Sequence, residues 1–151
     1  MPFEYHAKVN KVIDGDTINV DLDLGFNVVL SNQSVRLLGI DTPESRTSDK
    51  VEKAFGTLSK DKVKEFIDRC ESRVILQTVL SDSEEKFGRL LGKVINPKDN
   101  TILNEWLIWN NYAVSYNGEN KDKVAEFHLF NRKILIDKKE VTMTYAEAGV
   151  K

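Results

Sequence analysis

Apolar and polar residues alternate along much of the first forty positions. That two-residue period marks strands with one buried face. Residues 5–13 read as a first strand, and Asp14-Gly15 as a turn or kink. Asp16, Ile18, Val20 and Leu22 then alternate with Thr17, Asn19, Asp21 and Asp23. Asp16 therefore shares a face with three aliphatic side chains and is placed as an acid at the end of an inward face, whereas Asp21 and Asp23 point to solvent. Gly25 closes a hairpin, and residues 26–30 begin a third strand. Ser31-Asn32-Gln33-Ser34 interrupts that strand as a bulge or bend, and residues 35–40 resume it.

Residues 45–56 read as a polar loop carrying Arg46, Lys50 and Lys53. The period then lengthens. Thr57 is the expected N-cap of a helix whose apolar stripe is Leu58, Val63, Phe66, Ile67 and Cys70. Residues 73–80 form a fourth strand and 81–85 an acidic loop; Lys86-Phe87-Gly88-Arg89 leads into a fifth strand at 90–95. Pro97-Lys98-Asp99-Asn100 is a turn, with Asn100 or Thr101 capping a helix that carries Leu103, Trp106 and Leu107 on one face. Asn117-Gly118 is a further turn, and Val124, Phe127, Phe130, Ile134 and Leu135 mark a last helix. Beyond Asp137 the pattern fades, and a frayed tail is expected. Five short strands, a helix between the third and fourth, and helices after the fifth predict an α+β fold: a five-stranded OB-type β-barrel with about three helices. No repeat, low-complexity segment or linker divides the chain. Residues 1–151 are read as one domain, with a core over about 5–136 and a poorly defined tail over 137–151.

Composition narrows the function classes. The net charge is −2, with a pI of about 5.8. This excludes a general basic coat, so any contact with nucleic acid must come from a local basic patch with help from a cation. Cys70 is the sole cysteine, which rules out an intramolecular disulfide, and its flanks place it in the core rather than as a nucleophile. No stretch is long and apolar enough to span a membrane, and Met1-Pro2-Phe3-Glu4-Tyr5 lacks a signal pattern. The expectation is a cytoplasmic monomer with no membrane association; export by an unseen route or a phage-encoded origin are the alternatives.

The candidate chemistry gathers at Arg36-Leu37-Leu38-Gly39-Ile40-Asp41-Thr42-Pro43-Glu44. An arginine inside an apolar run is costly unless it meets an anion. Pro43 ends strand pairing, and Thr42 before it is pushed into an extended conformation that fixes the direction of its carbonyl. Carboxylates for a cation beside an arginine for an anion point to a phosphate-handling site. Acids in loops more often cap turns, and that reading is preferred for Asp14 and Asp49. For Asp16, Asp41 and Glu44 it is weaker, because all three gather at one barrel end. Oxygen ligands without a His or Cys cluster suit Ca²⁺, Mg²⁺ or Mn²⁺ rather than Zn²⁺. Arg36 and Arg89 either form salt bridges, Arg36 with Glu44, or grip phosphate oxygens as planar forks. Lys50, Lys53 and Lys86 are individually solvated charges that together flank the same strand ends and steer a polyanion. Trp106 and Trp109 are read as core or helix surface rather than base-stacking platforms. His6 and His128 are isolated, and neither is assigned a catalytic role.

Three ordered motifs carry a resemblance. Val12-Ile13-Asp14-Gly15-Asp16-Thr17, the Arg36 to Glu44 segment and Lys86-Phe87-Gly88-Arg89 resemble those of the staphylococcal nuclease (thermonuclease) family, and Leu103-Asn104-Glu105 followed by Tyr112-Ala113 resembles its later segment. The likeness runs continuously from about Val9 to Tyr116 and loosely through the last helix. It implies that Asp16, Asp41 and the Thr42 carbonyl bind the metal, which in that family is Ca²⁺, with Mg²⁺ or Mn²⁺ as alternatives. It implies that Arg36 and Arg89 contact the scissile phosphate and that Glu44 is a general base or water-positioner. The family's type enzyme has a tyrosine where this chain has Phe87, so a hydroxyl near the phosphate is lost. Its nucleotide-contacting tyrosine after the second helix is matched to Tyr116 first and Tyr112 second. Past Ile136 the chain departs from the family pattern. The function implied is metal-dependent hydrolysis of phosphodiester bonds in DNA and RNA, with little sequence specificity and 3′-phosphate products. The rivals are a non-catalytic OB-type module that binds nucleic acid or protein, and a purely structural interaction domain. Retention of all three acids and both arginines argues against both.

Overall fold

The computed structural model describes residues 3–78, 89–118 and 120–151. The elements in chain order are β1 (Phe3–Asp14), β2 (Thr17–Asp23), β3 (Val29–Leu37), β4 (Ile40–Asp41), α1 (Lys50–Arg69), β5 (Arg73–Thr78), β6 (Leu90–Ile95), α2 (Leu103–Trp109), β7 (Val114–Ser115) and α3 (Lys121–Asp137). Five of the strands close a barrel in the order β1-β2-β3-β6-β5, and β4 pairs with β7 as a separate two-stranded sheet. Barrel neighbours are antiparallel except β3 and β6, which run parallel. The predicted α+β barrel with three helices is therefore the observed fold. Ile18, Val20 and Leu22 of β2 are buried while Asp23 is exposed, so the alternation read from the sequence aims the aliphatic face into the barrel. Among the described residues no helix is long and apolar enough to cross a membrane.

Several boundaries differ from the sequence reading, each for a local reason. Residues 26–28 belong to the hairpin turn rather than to the third strand: Phe26 and Asn27 take positive φ, and the Leu24 N–H donates to the Val28 carbonyl at 2.9 Å. The polar interruption is a bulge. Val20 pairs with Gln33 but Leu22 with Leu30, and Asn32, at φ 55°, donates its N–H to the Asp21 carboxylate at 2.9 Å. Residues 35–40 are not one strand. The chain turns at Leu38-Gly39, with Gly39 at φ 80°, and Ile40–Asp41 leaves the barrel to pair with Val114–Ser115. The first helix starts at Lys50, not after Thr57. The Asp49 carboxylate caps it by accepting from the N–H groups of Val51 and Glu52, and Phe55 is already buried. The second helix has Ile102 at its N-cap rather than Asn100 or Thr101, and an aliphatic side chain there cannot cap; Asn100 and Thr101 belong to the preceding turn, where the Thr101 N–H donates to Asp99 at 2.9 Å. Cys70 is buried at the end of α1, in the core as expected. Residues 79–88, which include the expected acidic loop, Lys86 and Phe87, lie outside the described residues.

The last helix and the tail are the largest departures. Val124 and Leu135 are buried in α3, but Phe127 and Phe130 are 56% and 62% exposed, so the stripe is only half core. The tail after Asp137 does not fray. Ala148 is fully buried, and Val141, Met143 and Val150 pack against the core. The Tyr112 hydroxyl donates to Glu140. Arg132 donates to the Ala148 carbonyl at 2.8 Å and to Glu52 at 3.0 Å while lying over the Phe55 ring. Spaced apolar residues in an irregular segment have no period, which is why the pattern hid them. Deleting residues 138–151 should lower unfolding free energy by about 3 kcal/mol or more, since buried Ala148 and the partly buried Val141, Met143 and Val150 are lost together. Urea denaturation checks this; an unchanged midpoint would return the tail to the frayed reading.

Candidate active site

Four backbone segments bring the predicted acids and arginines to one polar cleft. The turn between β1 and β2 carries Asp16, β3 carries Arg36, and β4 with the residues after it carries Asp41, Thr42 and Glu44; Arg89, just before β6, lines the same cleft. Arg36 is held from both sides, opposite Thr17 in β2 and Leu91 in β6. Its guanidinium lies between two acids, with Nη1 3.4 Å from Asp16 Oδ2 and Nη2 4.0 Å from Asp41 Oδ1. Arg36 thus meets Asp16 and Asp41, and not Glu44, the partner named in its salt-bridge alternative. Asp16 is fixed further by the Thr17 hydroxyl, which donates to Oδ1 at 2.9 Å, and by its own carbonyl, which accepts from the Leu37 N–H at 2.7 Å. Asp14 takes the Ser45 hydroxyl and lies 4.0 Å from Arg46, the turn-tying role expected of it.

Helix α1 sets the two acid-bearing turns in place by close approach. A Cβ at Gly56 would lie 2.1 Å from the Glu44 carbonyl oxygen and 2.6 Å from the Ser45 nitrogen. A Cβ at Gly15 would lie 2.9 Å from Ser59 Cβ and 3.1 Å from Thr42 Oγ1. Ser59 is itself buried, donating to the Tyr112 carbonyl at 2.6 Å. The helix therefore presses glycine and serine, with no bulk between, against the backbone that carries Thr42 and Glu44. The sequence reading left Gly56 at a loop end; it lies inside the helix.

The electrostatics are those of crowded acids with partial counter-charge. Burial pushes the Asp41 carboxyl up, but the hydrogen bond from His128 and the charges of His128, Lys121 and Arg36 outweigh this and hold it below the usual aspartate range. Burial, and then the charges of Asp16, Asp14, Asp41 and Glu52, push the Glu44 carboxyl above the usual glutamate range. Among the described residues no group of three or more His, Cys, Asp or Glu side chains is arranged to hold a metal by itself. The expected set, two carboxylates and the Thr42 carbonyl, is smaller than that. It is all oxygen, it faces one cleft, and it leaves the neighbouring Glu44 under uncompensated repulsion. Such a set fits a hard cation that keeps solvent or substrate oxygens in its shell.

A family model described as Staphylococcal nuclease homologue matches residues 34–142. The chain belongs to this family. Proteins similar to it include Endonuclease YhcR of Bacillus subtilis (strain 168), 28% identical over 142 residues, which cover 91% of this chain but only 11% of that protein. An "Uncharacterized endonuclease" of Escherichia coli O157:H7 is 30% identical over 121 residues, 80% of this chain and 67% of its own length. The "Uncharacterized protein MJ1439" of Methanocaldococcus jannaschii is 31% identical over 140 residues, 79% of this chain and 64% of its own.

Within this staphylococcal nuclease fold, the cleft gathers Asp16, Arg36, Asp41, Thr42, Glu44, Arg89 and Tyr116. It does not gather all the residues expected at it. Lys50 and Lys53 stand exposed on the first turn of α1 and do not line the cleft. Tyr112 is buried, its ring 5.8 Å from that of Trp106 and its hydroxyl on Glu140, so it ties the tail to the core rather than lining the cleft. Trp106 is half-buried in that cluster and Trp109 is exposed on the helix surface, as read from the sequence. Two residues were not foreseen, Lys121 in the cleft wall and His128 behind Asp41. Lys121 lies 4.5 Å over the Tyr116 ring, and His128 Nε2 sits 2.7 Å from Asp41 Oδ2. No local signal marks either, because their partners are distant in sequence.

Two tests follow from this geometry. Gly56→Ala must push the Glu44 segment away, since the blocking atoms are backbone. It should cost about 1–3 kcal/mol and lower any cleavage rate by roughly tenfold or more, read from urea melts and initial rates; a variant with normal values in both would show that the helix yields without moving the site. Glu44→Gln removes the crowded charge. The folded protein binds the Glu44 proton more tightly than the unfolded chain, so wild type loses stability as pH rises from the ordinary glutamate value through the raised one. In chelator the variant should melt above wild type at about pH 7 and level with it at about pH 4. A lower melt at neutral pH would make Glu44 a stabilising acid.

Proposed function

We propose that the chain is an endonuclease that hydrolyses phosphodiester bonds in DNA and RNA, with little sequence preference, leaving 3′-phosphate ends. The observation that carries this is the convergence of Asp16, Asp41, Glu44, Arg36 and Arg89 on one cleft. A domain that only bound a polyanion would gain nothing from three acids at its binding surface, which disfavours the non-catalytic reading. Two of the similar proteins, those of Bacillus subtilis and Escherichia coli, are named as endonucleases, which supports the same class.

Asp16, Asp41 and the Thr42 carbonyl would hold the divalent cation, proposed to be Ca²⁺ with Mg²⁺ or Mn²⁺ as alternatives. When bound, it supplies charge neutralisation at a non-bridging phosphate oxygen. Arg36 and Arg89 place planar forks on the remaining oxygens, where negative charge grows as water attacks phosphorus. Glu44 positions the water or takes its proton. The upward push on its carboxyl makes it a stronger acceptor than an ordinary glutamate. Tyr116 and Lys121, stacked at the cleft wall, offer a ring and an ammonium to the nucleotide flanking the scissile bond.

Cleavage of single- and double-stranded DNA and of RNA should need an added divalent cation and stop in chelator. Products should block polymerase extension until a phosphatase removes the 3′-phosphate. Arg36→Lys and Arg89→Lys should each lower kcat by about 10² or more with an unchanged melt, because lysine keeps the charge and loses the fork. Full activity in chelator would remove the cation from the mechanism, and near-normal kcat in either variant would remove that arginine from the phosphate.

A further inference from the structure

Asp41 sits on a strand of two residues, outside the barrel, and a strand so short fixes the backbone better than the side chain. Its two oxygens face different partners. Oδ1 lies 4.0 Å from the Arg36 guanidinium inside the cleft, while Oδ2 lies 2.7 Å from Nε2 of His128 on α3. An ionised carboxylate only accepts hydrogen bonds, so Nε2 carries the hydrogen. The bond spans 87 positions of sequence, and the histidine is largely shielded from solvent, at 15% side-chain exposure.

We propose that His128 is a positioning residue for the cation site, acting through Asp41. The inference rests on reading Asp41 as a cation ligand. By holding Oδ2 from behind, His128 stops rotation of the carboxylate and turns Oδ1 toward the cleft. A partner that orients a ligating carboxylate in this way typically changes metal affinity by about 10–100-fold. Other contacts also dock the helix. One turn further on, Asn131 donates to the Ala113 carbonyl at 3.2 Å and accepts from Asn111 at 3.1 Å; Arg132 anchors the same helix to Glu52 and the tail, and Val124 and Leu135 bury its apolar side. What His128 adds beyond these contacts is the orientation of one carboxylate. The cleft thereby depends on a residue near the far end of the chain.

The test measures cation binding directly, without substrate, on the full chain. Ca²⁺ titration calorimetry and the free-Mn²⁺ electron paramagnetic resonance signal give Kd for wild type, His128→Ala and His128→Gln. Glutamine sets an N–H donor at similar reach. The expected result is a Kd raised about tenfold or more in the alanine variant and within about threefold of wild type in the glutamine variant, while alanine lowers the melt only slightly. An alanine variant that melts lower but binds cation as wild type does would make His128 a helix-docking residue and overturn the proposal. So would loss of binding that glutamine fails to restore. Wild type that binds neither cation would overturn the metal reading of the cleft, and this inference with it.

Discussion

Asn104 lies on the first turn of α2 with its amide inside the protein, where three backbone groups meet it. Nδ2 donates to the carbonyls of Leu38 at 2.8 Å and Gly92 at 3.2 Å, and Oδ1 accepts the Val94 N–H at 3.1 Å. These groups sit at the point where the chain leaves β3, beside the parallel partner β6. Parallel pairing there cannot supply every bond, since β3 ends as the chain turns away. The Gly92 carbonyl also accepts the Leu38 N–H at 2.9 Å, and leaving a buried group such as the Leu38 carbonyl unmet costs about 1–3 kcal/mol. The amide therefore holds the turn that sends Ile40–Asp41 out of the barrel. The Gly39 carbonyl then accepts the Tyr116 N–H at 2.8 Å, so the same turn also places the tyrosine at the cleft wall.

The acids do not gather because they attract anything nearby. They are brought together by backbone approach and held against their own repulsion. Gly56 and Ser59 let α1 press on the Thr42–Glu44 segment and the Gly15 turn, and the burial of Phe55, Val63, Phe66 and Ile67 on the same helix supplies the favourable energy. Arg36 returns part of the electrostatic cost by sitting between Asp16 and Asp41. This is the arrangement expected where local strain serves a site rather than the fold.

The barrel was legible because each strand repeats with a period of two and each break carries glycine or a polar cluster. Much of the cleft was legible because Arg36, Asp41, Thr42 and Glu44 lie on one short segment, and Asp16 shares a face with β2. What was not legible needed partners far away. Strand β4 reads as a continuation of β3 until Val114–Ser115 is known to claim it. Asp49 looked like one more loop acid, although it caps α1. Tyr112 reads as the second candidate for a nucleotide contact, after Tyr116, yet Glu140 and Trp106 enclose it. Phe127 and Phe130 keep a helical period while facing solvent, and the aperiodic tail carries Ala148 into the core. His128 had no partner within reach along the chain, and only the packing of α3 beside β4 supplies one.

The cleft is thus shared between two bodies. Asp16 and Arg36 belong to the barrel, whereas Asp41 belongs to the small sheet that α3 backs. In the protein alone, Arg36 spans the two as the counter-ion of both acids. On the proposed mechanism it has a second task, gripping a phosphate oxygen, and it cannot serve carboxylates and phosphate equally well. A cation taken up by Asp16 and Asp41 would satisfy those acids and free the guanidinium for the substrate. The cation and the nucleic acid then favour one another through a single side chain. That exchange needs a planar, permanently charged fork at this position, held from both sides by neighbouring strands, and Arg36 in the middle of the barrel's β2-β3-β6 face meets that need.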